Sequence, residues 1–233
     1  RPPRSTLDRS SAASDVYKRQ NQSNDDTNYP VHLVSSVREL TDQRVSHGTM
    51  FIASVSGSLP DHFYDQDTLI QGFLEQWSEA HHNADRLVRL HQAVAVSGRH
   101  LALPMERYPT LSFSEANDAF ISVGTQLGAK AIRTALDSAG LHPEDVDVIF
   151  TTTVTGVATP SLDARLVNTL GFRSDVKRIP MFGLGCVAGA AGTARLADYL
   201  RGHPDQVGIL LSVELCSLTI QRRDFSVANL IAS

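Results

Sequence analysis

Residues 146–153 read VDVIFTTT, residues 177–183 read KRIPMFG and residues 207–215 read VGILLSVEL, three short and largely apolar runs. The first run lacks polar alternation, which predicts a strand that is covered on both faces. Two segments of helical periodicity separate the runs, SLDARLVNTLG at 161–171 and CVAGAAGTARLADYLRG at 186–202. This alternation predicts an α/β fold with a mixed, mostly parallel sheet and helices on both of its faces.

The chain ahead of these runs extends the same pattern. TMFIASVS at 49–56 is rich in β-forming residues and predicts a strand. The apolar spacing over 66–82 predicts a helix, and a second one is expected over 85–98, where Gly98 would stop it. A long helix is predicted from Ser114 to Gly140.

Composition excludes several classes of protein. The 233 residues carry 21 Lys and Arg against 25 Asp and Glu, a net charge of −4, which speaks against a nucleic-acid partner. The sequence contains no apolar run near the roughly 18 residues that a membrane span needs. Two cysteines cannot build a disulfide framework, so a cytoplasmic location is expected.

The two ends of the sequence differ from its middle. Residues 1–30 are polar and are predicted to be a disordered or non-native tail, with the folded domain spanning 48–233. QRRDFSVANLIAS at 221–233 stops inside an apolar, helix-like run without a C-terminal cap. We therefore expect the domain to be truncated and incomplete at its C-terminus.

Cys186 is the candidate nucleophile. It follows a predicted strand and a Gly-Leu-Gly turn and opens a helix, whose free N–H groups and dipole favour a thiolate. An acyl group moved from a thioester onto this sulfur would stay activated for carbon–carbon bond formation. The small, uncharged residues of 186–194 predict close helix packing, which would bury Cys186 at the end of a tunnel. The alternative is a structural cysteine, which is the favoured interpretation for Cys216.

Three stretches together resemble one enzyme family. TTTVTGVATPSLDARL, KRIPMFGLGCVAGAAGTARLADYLRG and SVELCSLTIQRRDFSVANLIAS are similar to type III polyketide synthases, the chalcone synthase-like enzymes of bacterial type. The resemblance implies a thiolase-like fold, a homodimer, and an acyltransferase that condenses malonyl-CoA with loss of CO2 onto an acyl-CoA starter held on Cys186. The substrates would be CoA thioesters, with no further cofactor and no metal.

The same resemblance assigns a partial catalytic site. Family members complete it with a His and an Asn that would follow Ser233, so the chain alone is not expected to perform the whole reaction. Arg86 and Arg89 match a basic pair that contacts CoA phosphates, while Ala93 stands where the family carries a lysine.

Four more positions are implied to shape the cavity. Val154 and Cys216 match pocket-lining positions, and Thr159 matches a residue that reaches into the partner subunit's cavity. Glu214 matches a buried acid beside that cavity, for which a structural role is expected.

Two other interpretations are open. A ketoacyl synthase III-like condensing enzyme would share the cysteine at a helix start but would need a basic surface for a carrier protein. A non-catalytic thiolase-fold fragment would keep the fold without the reaction, and would form no acyl adduct on Cys186.

Overall fold

Five α-helices and five β-strands lie within the residues that the computed structural model describes, which are 50–77, 84–94, 96–221 and 229, without the side chains of residues 76, 77, 84, 86 and 87. All of these residues belong to one compact unit, Ser36–Ser233. The elements are β1 (His62–Asp65), α1 (Gln66–Trp77), α2 (Ala84–Ala93), β2 (Gly98–Leu101), α3 (Phe113–Ala139), β3 (Val148–Thr153), α4 (Leu162–Leu170), β4 (Lys177–Phe182), α5 (Ala188–Arg201) and β5 (Gly208–Ser212).

Three parallel strands form the central sheet, in the order β4-β3-β5. Val148 of β3 is paired with Lys177 of β4 on one side and with Gly208 of β5 on the other. Five of the six β3 residues are buried, which confirms the prediction of a strand covered on both faces. The alternation of strands and helices after residue 114 therefore produces the parallel sheet that the sequence predicts.

Helices cover both faces of this sheet. Leu211 of β5 points to α3, where a Cβ added to Gly128 would lie 3.0 Å from its methyl carbon. The preceding residue, Leu210, points to α5, where a Cβ added to Gly192 would lie 2.7 Å from it. Because successive residues of a strand face opposite ways, α3 and α5 lie on opposite faces.

The long helix α3 begins two residues earlier than predicted. Ser112, and not Ser114, is the N-cap, and its hydroxyl accepts a hydrogen bond from the Glu115 backbone N–H while the Glu115 carboxylate accepts one from the Ser112 N–H. The Ser112 hydroxyl also donates to the Glu115 carboxylate at 2.6 Å, and this bond, followed by the one from the Ser112 N–H, holds the pKa of Glu115 below its ordinary value. The helix ends at Gly140 as predicted, in the left-handed region at φ +66°.

The strand prediction for 49–56 is wrong over the residues that the structure describes. Residues 50–56 pair with no described strand, and Ile52 and Val55 are 74% and 84% exposed. The segment instead lies against α3, where Ser54 and Ser56 donate their hydroxyl hydrogens to the carbonyls of Ala135 and Ala131. High β-propensity alone does not make a strand when no neighbouring edge pairs with it.

Gly98 does not stop a helix. Helix α2 ends at Ala93, and Gly98 begins β2, which pairs antiparallel with β1 in a separate two-stranded sheet. A Cβ at Gly98 would lie 2.6 Å from the Tyr64 carbonyl oxygen, so a residue without a side chain permits this close pairing. Neither of these short strands is predicted by the sequence pattern.

Parts of several predictions lie outside the described residues. Helix α1 confirms residues 66–77 of the helix expected over 66–82, whereas 78–82 are not described. The tail predicted over 1–30 also falls outside the described residues, as do residues 222–228 of the helix-like run at the end of the sequence. Within the described ranges, every helix is too short or too polar to cross a membrane.

Candidate active site

A glycine turn places Cys186 between β4 and α5. Gly183 and Gly185 have φ values of +84° and +61°, the left-handed region that other residues adopt only with strain. Cys186 then sits in a single 3-10 turn, Gly185–Val187, which leads directly into α5. The predicted order of strand, Gly-Leu-Gly turn and cysteine at a helix start is therefore present.

The predicted burial of Cys186 is wrong for the chain as the structure describes it. Cys186 is exposed and its thiol is free. A Cβ added to Gly189 in the first turn of α5 would meet nothing within 4 Å, whereas Gly192 one turn later packs on Leu210 and Met181. Ala188 and Gly192 are buried on the face of α5 that packs on the sheet, whereas no described atom lies close to the Gly189 side of the first turn.

Residues from the ends of all three parallel strands meet at one edge of the sheet. Val154 follows β3, Cys186 follows β4 by a short turn, and Cys216 follows β5. The pKa of Cys216 is raised, first because its thiol is partly buried and then because the Glu214 carboxylate is near, with a smaller contribution from Cys186.

The raised pKa of Cys216 predicts different reactivity for the two thiols. Both cysteines are exposed, but the raised pKa of Cys216 leaves less of its thiol as the reactive thiolate, so we expect iodoacetamide to alkylate Cys186 several times faster than Cys216 between pH 7 and 8. Peptide mass spectrometry over a time course measures both rates in one sample. Equal alkylation rates for the two cysteines in the native chain would contradict the prediction. The urea-unfolded chain is the control, because unfolding removes the burial and the nearby charge that raise the pKa of Cys216.

Glu214 links the segment that follows β3 to the segment that follows β5 at this edge of the sheet. Its carboxylate accepts hydrogen bonds from the Val154 N–H at 3.1 Å and from the Thr155 hydroxyl at 2.8 Å. The Thr155 oxygen in turn accepts a bond from the Leu215 N–H at 2.9 Å. Glu214 is exposed and not buried as expected, because its hydrogen-bond partners lie in a loop at the surface. Thr155 is not predicted from the sequence, because three other threonines stand within the same five residues, 151–155.

The other implied positions are exposed or fall outside the described residues. Thr159 is exposed in the loop between β3 and α4 and precedes Pro160. Arg89 is exposed on α2, and Ala93 ends that helix. The side chain of Arg86 is outside the described residues, so the expected basic pair is seen only in part.

A cleft of about 1250 Å³ lies beside the site. Its wall includes Glu214 and Cys216, together with Arg99 of β2 and Gly128 of α3, but not Cys186, Val154, Thr159 or Arg89. Arg99 is not among the residues that the sequence predicts for the site. Across the described part of the chain, no three His, Cys, Asp or Glu side chains come together as metal ligands.

Comparison with known proteins identifies the family. Residues 37–220 match the family described as "Chalcone and stilbene synthases, N-terminal domain". The chain therefore belongs to the chalcone and stilbene synthase family, and its α/β architecture is the N-terminal part of a thiolase-like fold.

Named relatives agree with this assignment. The chain is 51% identical over 189 residues to 1,3,6,8-tetrahydroxynaphthalene synthase of Streptomyces peucetius subsp. caesius, covering 81% of this chain and 50% of that protein. It is 34% identical over 193 residues to a putative chalcone synthase of Bacillus subtilis strain 168, with 78% and 52% covered. The chain thus spans about half the length of the curated relatives it matches.

A solved structure supports the same fold. The crystal structure of 1,3,6,8-tetrahydroxynaphthalene synthase from Streptomyces coelicolor A3(2), a bacterial type III polyketide synthase, superposes with a TM-score of 0.70 at 30% identity. The match covers 76% of this chain and 52% of that structure. The resemblance to type III polyketide synthases is confirmed.

Proposed function

We propose that this chain is the nucleophile-bearing part of a type III polyketide synthase and that Cys186 carries the growing acyl group. The observation that carries the proposal is the position of Cys186 in the turn between β4 and α5, within the region that matches the family. Backbone N–H groups at a helix start favour thiolate and stabilise a developing oxyanion.

The first step would be thioester exchange. The Cys186 thiolate attacks the carbonyl carbon of an acyl-CoA, the bond between that carbon and the CoA sulfur breaks, and CoA leaves as a thiolate that takes up a proton. The acyl group is then a thioester on Cys186. Malonyl-CoA would lose CO2 to give a carbanion that attacks this thioester, forming a carbon–carbon bond and releasing the Cys186 thiolate.

Substrate and partner assignments belong to the same proposal. Arg86 and Arg89 would hold CoA phosphates through bidentate guanidinium contacts. Val154 and Cys216 would line the acyl cavity, and Thr159 would reach toward a second copy of the chain in a homodimer. Glu214 would support this wall through its bonds to Val154 and Thr155.

The residues present set a limit on the proposed activity. The resemblance assigns the decarboxylation machinery, a His and an Asn, to positions after residue 233. We therefore propose that these 233 residues accept an acyl group on Cys186 without extending it with malonyl-CoA.

Acyl transfer from a CoA thioester tests the proposal directly. We expect incubation with hexanoyl-CoA to add one hexanoyl group to the chain, detected by intact-protein mass spectrometry, and Cys186→Ala to abolish the adduct. Cys216→Ala is the matched control and should keep it. An adduct that persists in Cys186→Ala, or that forms equally on the urea-unfolded chain, would count against a specific acyl-carrying cysteine.

A non-catalytic thiolase-fold chain is the second candidate. The exposure of Cys186 favours it, since an activated nucleophile is normally shielded from water. This candidate predicts no hexanoyl adduct above that of the unfolded chain. The ketoacyl synthase III alternative lacks support, because the family match is to chalcone and stilbene synthases.

A further inference from the structure

The large cleft lies between two parts of the chain. One wall comes from the part formed by β1, α1, α2 and β2, which we call the N-terminal lobe, and includes Phe73 of α1 and Arg99 of β2. The opposite wall comes from α3 and from the segment that begins with β5, and includes Gly128 and Cys216. The width of the cleft therefore depends on how the N-terminal lobe is held against the central sheet.

Two hydroxyl groups join the chain that leaves this lobe to the segment that follows β5. After β2 the chain enters a short 3-10 helix, Met105–Thr110, in which the Tyr108 hydroxyl donates a hydrogen bond to Ser217 Oγ at 2.8 Å. Ser217 Oγ also accepts one from the Ala102 N–H at 3.1 Å, and the Tyr108 oxygen accepts one from the Leu103 N–H at 3.3 Å. Both hydroxyls therefore belong to one network, which joins residues 109 and 115 positions apart.

This network is part of the cleft wall. Tyr108 and Ser217 both line the cleft, and both are half-buried. Burial raises the pKa of Tyr108 above its ordinary value, so its hydroxyl stays protonated and can donate at neutral pH. Ser217 directly follows Cys216 in the 3-10 turn Cys216–Thr219. Separation of the two hydroxyls would therefore move the lobe away from the wall that carries Cys216.

We propose that Tyr108 and Ser217 form a latch that holds the N-terminal lobe against the segment after β5 and keeps the cleft narrow, so that the cleft widens when the two hydroxyls part. The latch is independent of the acyl transfer proposed for Cys186, because Cys186 is not part of the cleft wall. Since one hydrogen bond closes the latch directly, its loss should raise the open fraction about fivefold, the effect of one net hydrogen bond.

Two thiol reagents of different size measure the opening of the cleft. Cys216 is exposed, so the small reagent iodoacetamide should alkylate it at similar rates in the unmodified chain and in Tyr108→Phe. Fluorescein maleimide is far bulkier and needs the wider cleft, so we expect it to label Cys216 about fivefold faster in Tyr108→Phe. Its rate at Cys186, outside the cleft wall, should not change.

Amide hydrogen exchange measures the latch itself. Tyr108→Phe leaves Ser217 Oγ, the acceptor of the Ala102 N–H, in place, so faster exchange at Ala102 reports opening of the network and not loss of its acceptor. We expect that exchange to rise about fivefold as well. Tyr64→Phe is the matched control, because it removes a hydroxyl that accepts the Met105 N–H and leaves the latch intact. It should change neither the labelling nor the exchange.

Ser217→Ala tests the latch from its other side and serves alone if Tyr108→Phe does not fold. It should speed maleimide labelling of Cys216 by a similar factor, and the double variant should add little, because both substitutions break the same bond. Unchanged maleimide labelling in a folded variant, or unchanged Ala102 exchange in Tyr108→Phe, would overturn the latch. Faster reaction of both cysteines with both reagents would overturn it equally, since general loosening of the fold would then be the cause.

Discussion

Gly156→Ala is expected to lower the free energy of unfolding by about 2–3 kcal/mol, the upper part of the range for overpacking a core. The new methyl group would stand 2.1 Å from the Phe120 ring, far inside van der Waals contact. Phe120 belongs to the main hydrophobic core, so either the ring or loop 154–160 must move. Urea unfolding followed by circular dichroism measures the change.

Gly189→Ala is the matched control, because the same substitution is expected to raise the free energy of unfolding at that position. A Cβ at Gly189 meets nothing within 4 Å, and the residue lies in the first turn of α5. Alanine should therefore stabilise the protein by up to about 1 kcal/mol through helix propensity. If both variants lost similar stability, the close contact at Phe120 would not be the cause of the Gly156→Ala effect.

Local patterns were sufficient to predict the second half of the described fold. In β3, α4, β4, α5 and β5, the apolar period, the flanking glycines and the segment lengths all favour one assignment each. Gly140 and Gly171, for example, each follow the last residue of a predicted helical segment, and both adopt the left-handed region there. Agreement of several local signals is what makes such segments predictable.

Contacts between distant residues were beyond the sequence analysis. Residues 50–56 have strand composition, but whether they pair depends on a neighbour that no local pattern reveals. The exposure of Cys186 depends on what covers the start of α5, and the bond between Tyr108 and Ser217 joins residues 109 positions apart. The identity of the nucleophile comes from local sequence and resemblance, whereas its surroundings depend on the whole chain.

A buried charge supplies the second large expected effect. Asp163 in the first turn of α4 is fully buried, with its carboxylate 3.2 Å from the Arg178 guanidinium and 3.2 Å from the Thr151 hydroxyl. Arg178→Met should lower the free energy of unfolding by about 3 kcal/mol, because it leaves a buried carboxylate without a counter-charge. We expect a value at the lower end of the range for breaking a buried ion pair, because Arg178 is 44% exposed and water can therefore reach the position that its guanidinium leaves.

Two comparisons isolate the charge as the cause. Arg201→Met removes an exposed arginine that pairs with Asp198 within α5, and surface pairs contribute at most about 1 kcal/mol. In the Asp163→Asn, Arg178→Met double variant, the neutral amide no longer needs a counter-charge and still reaches Thr151, so part of the stability should return. If the double variant were less stable than Arg178→Met alone, lost packing and not the unpaired carboxylate would explain the destabilisation, since removing the charge would then have relieved nothing.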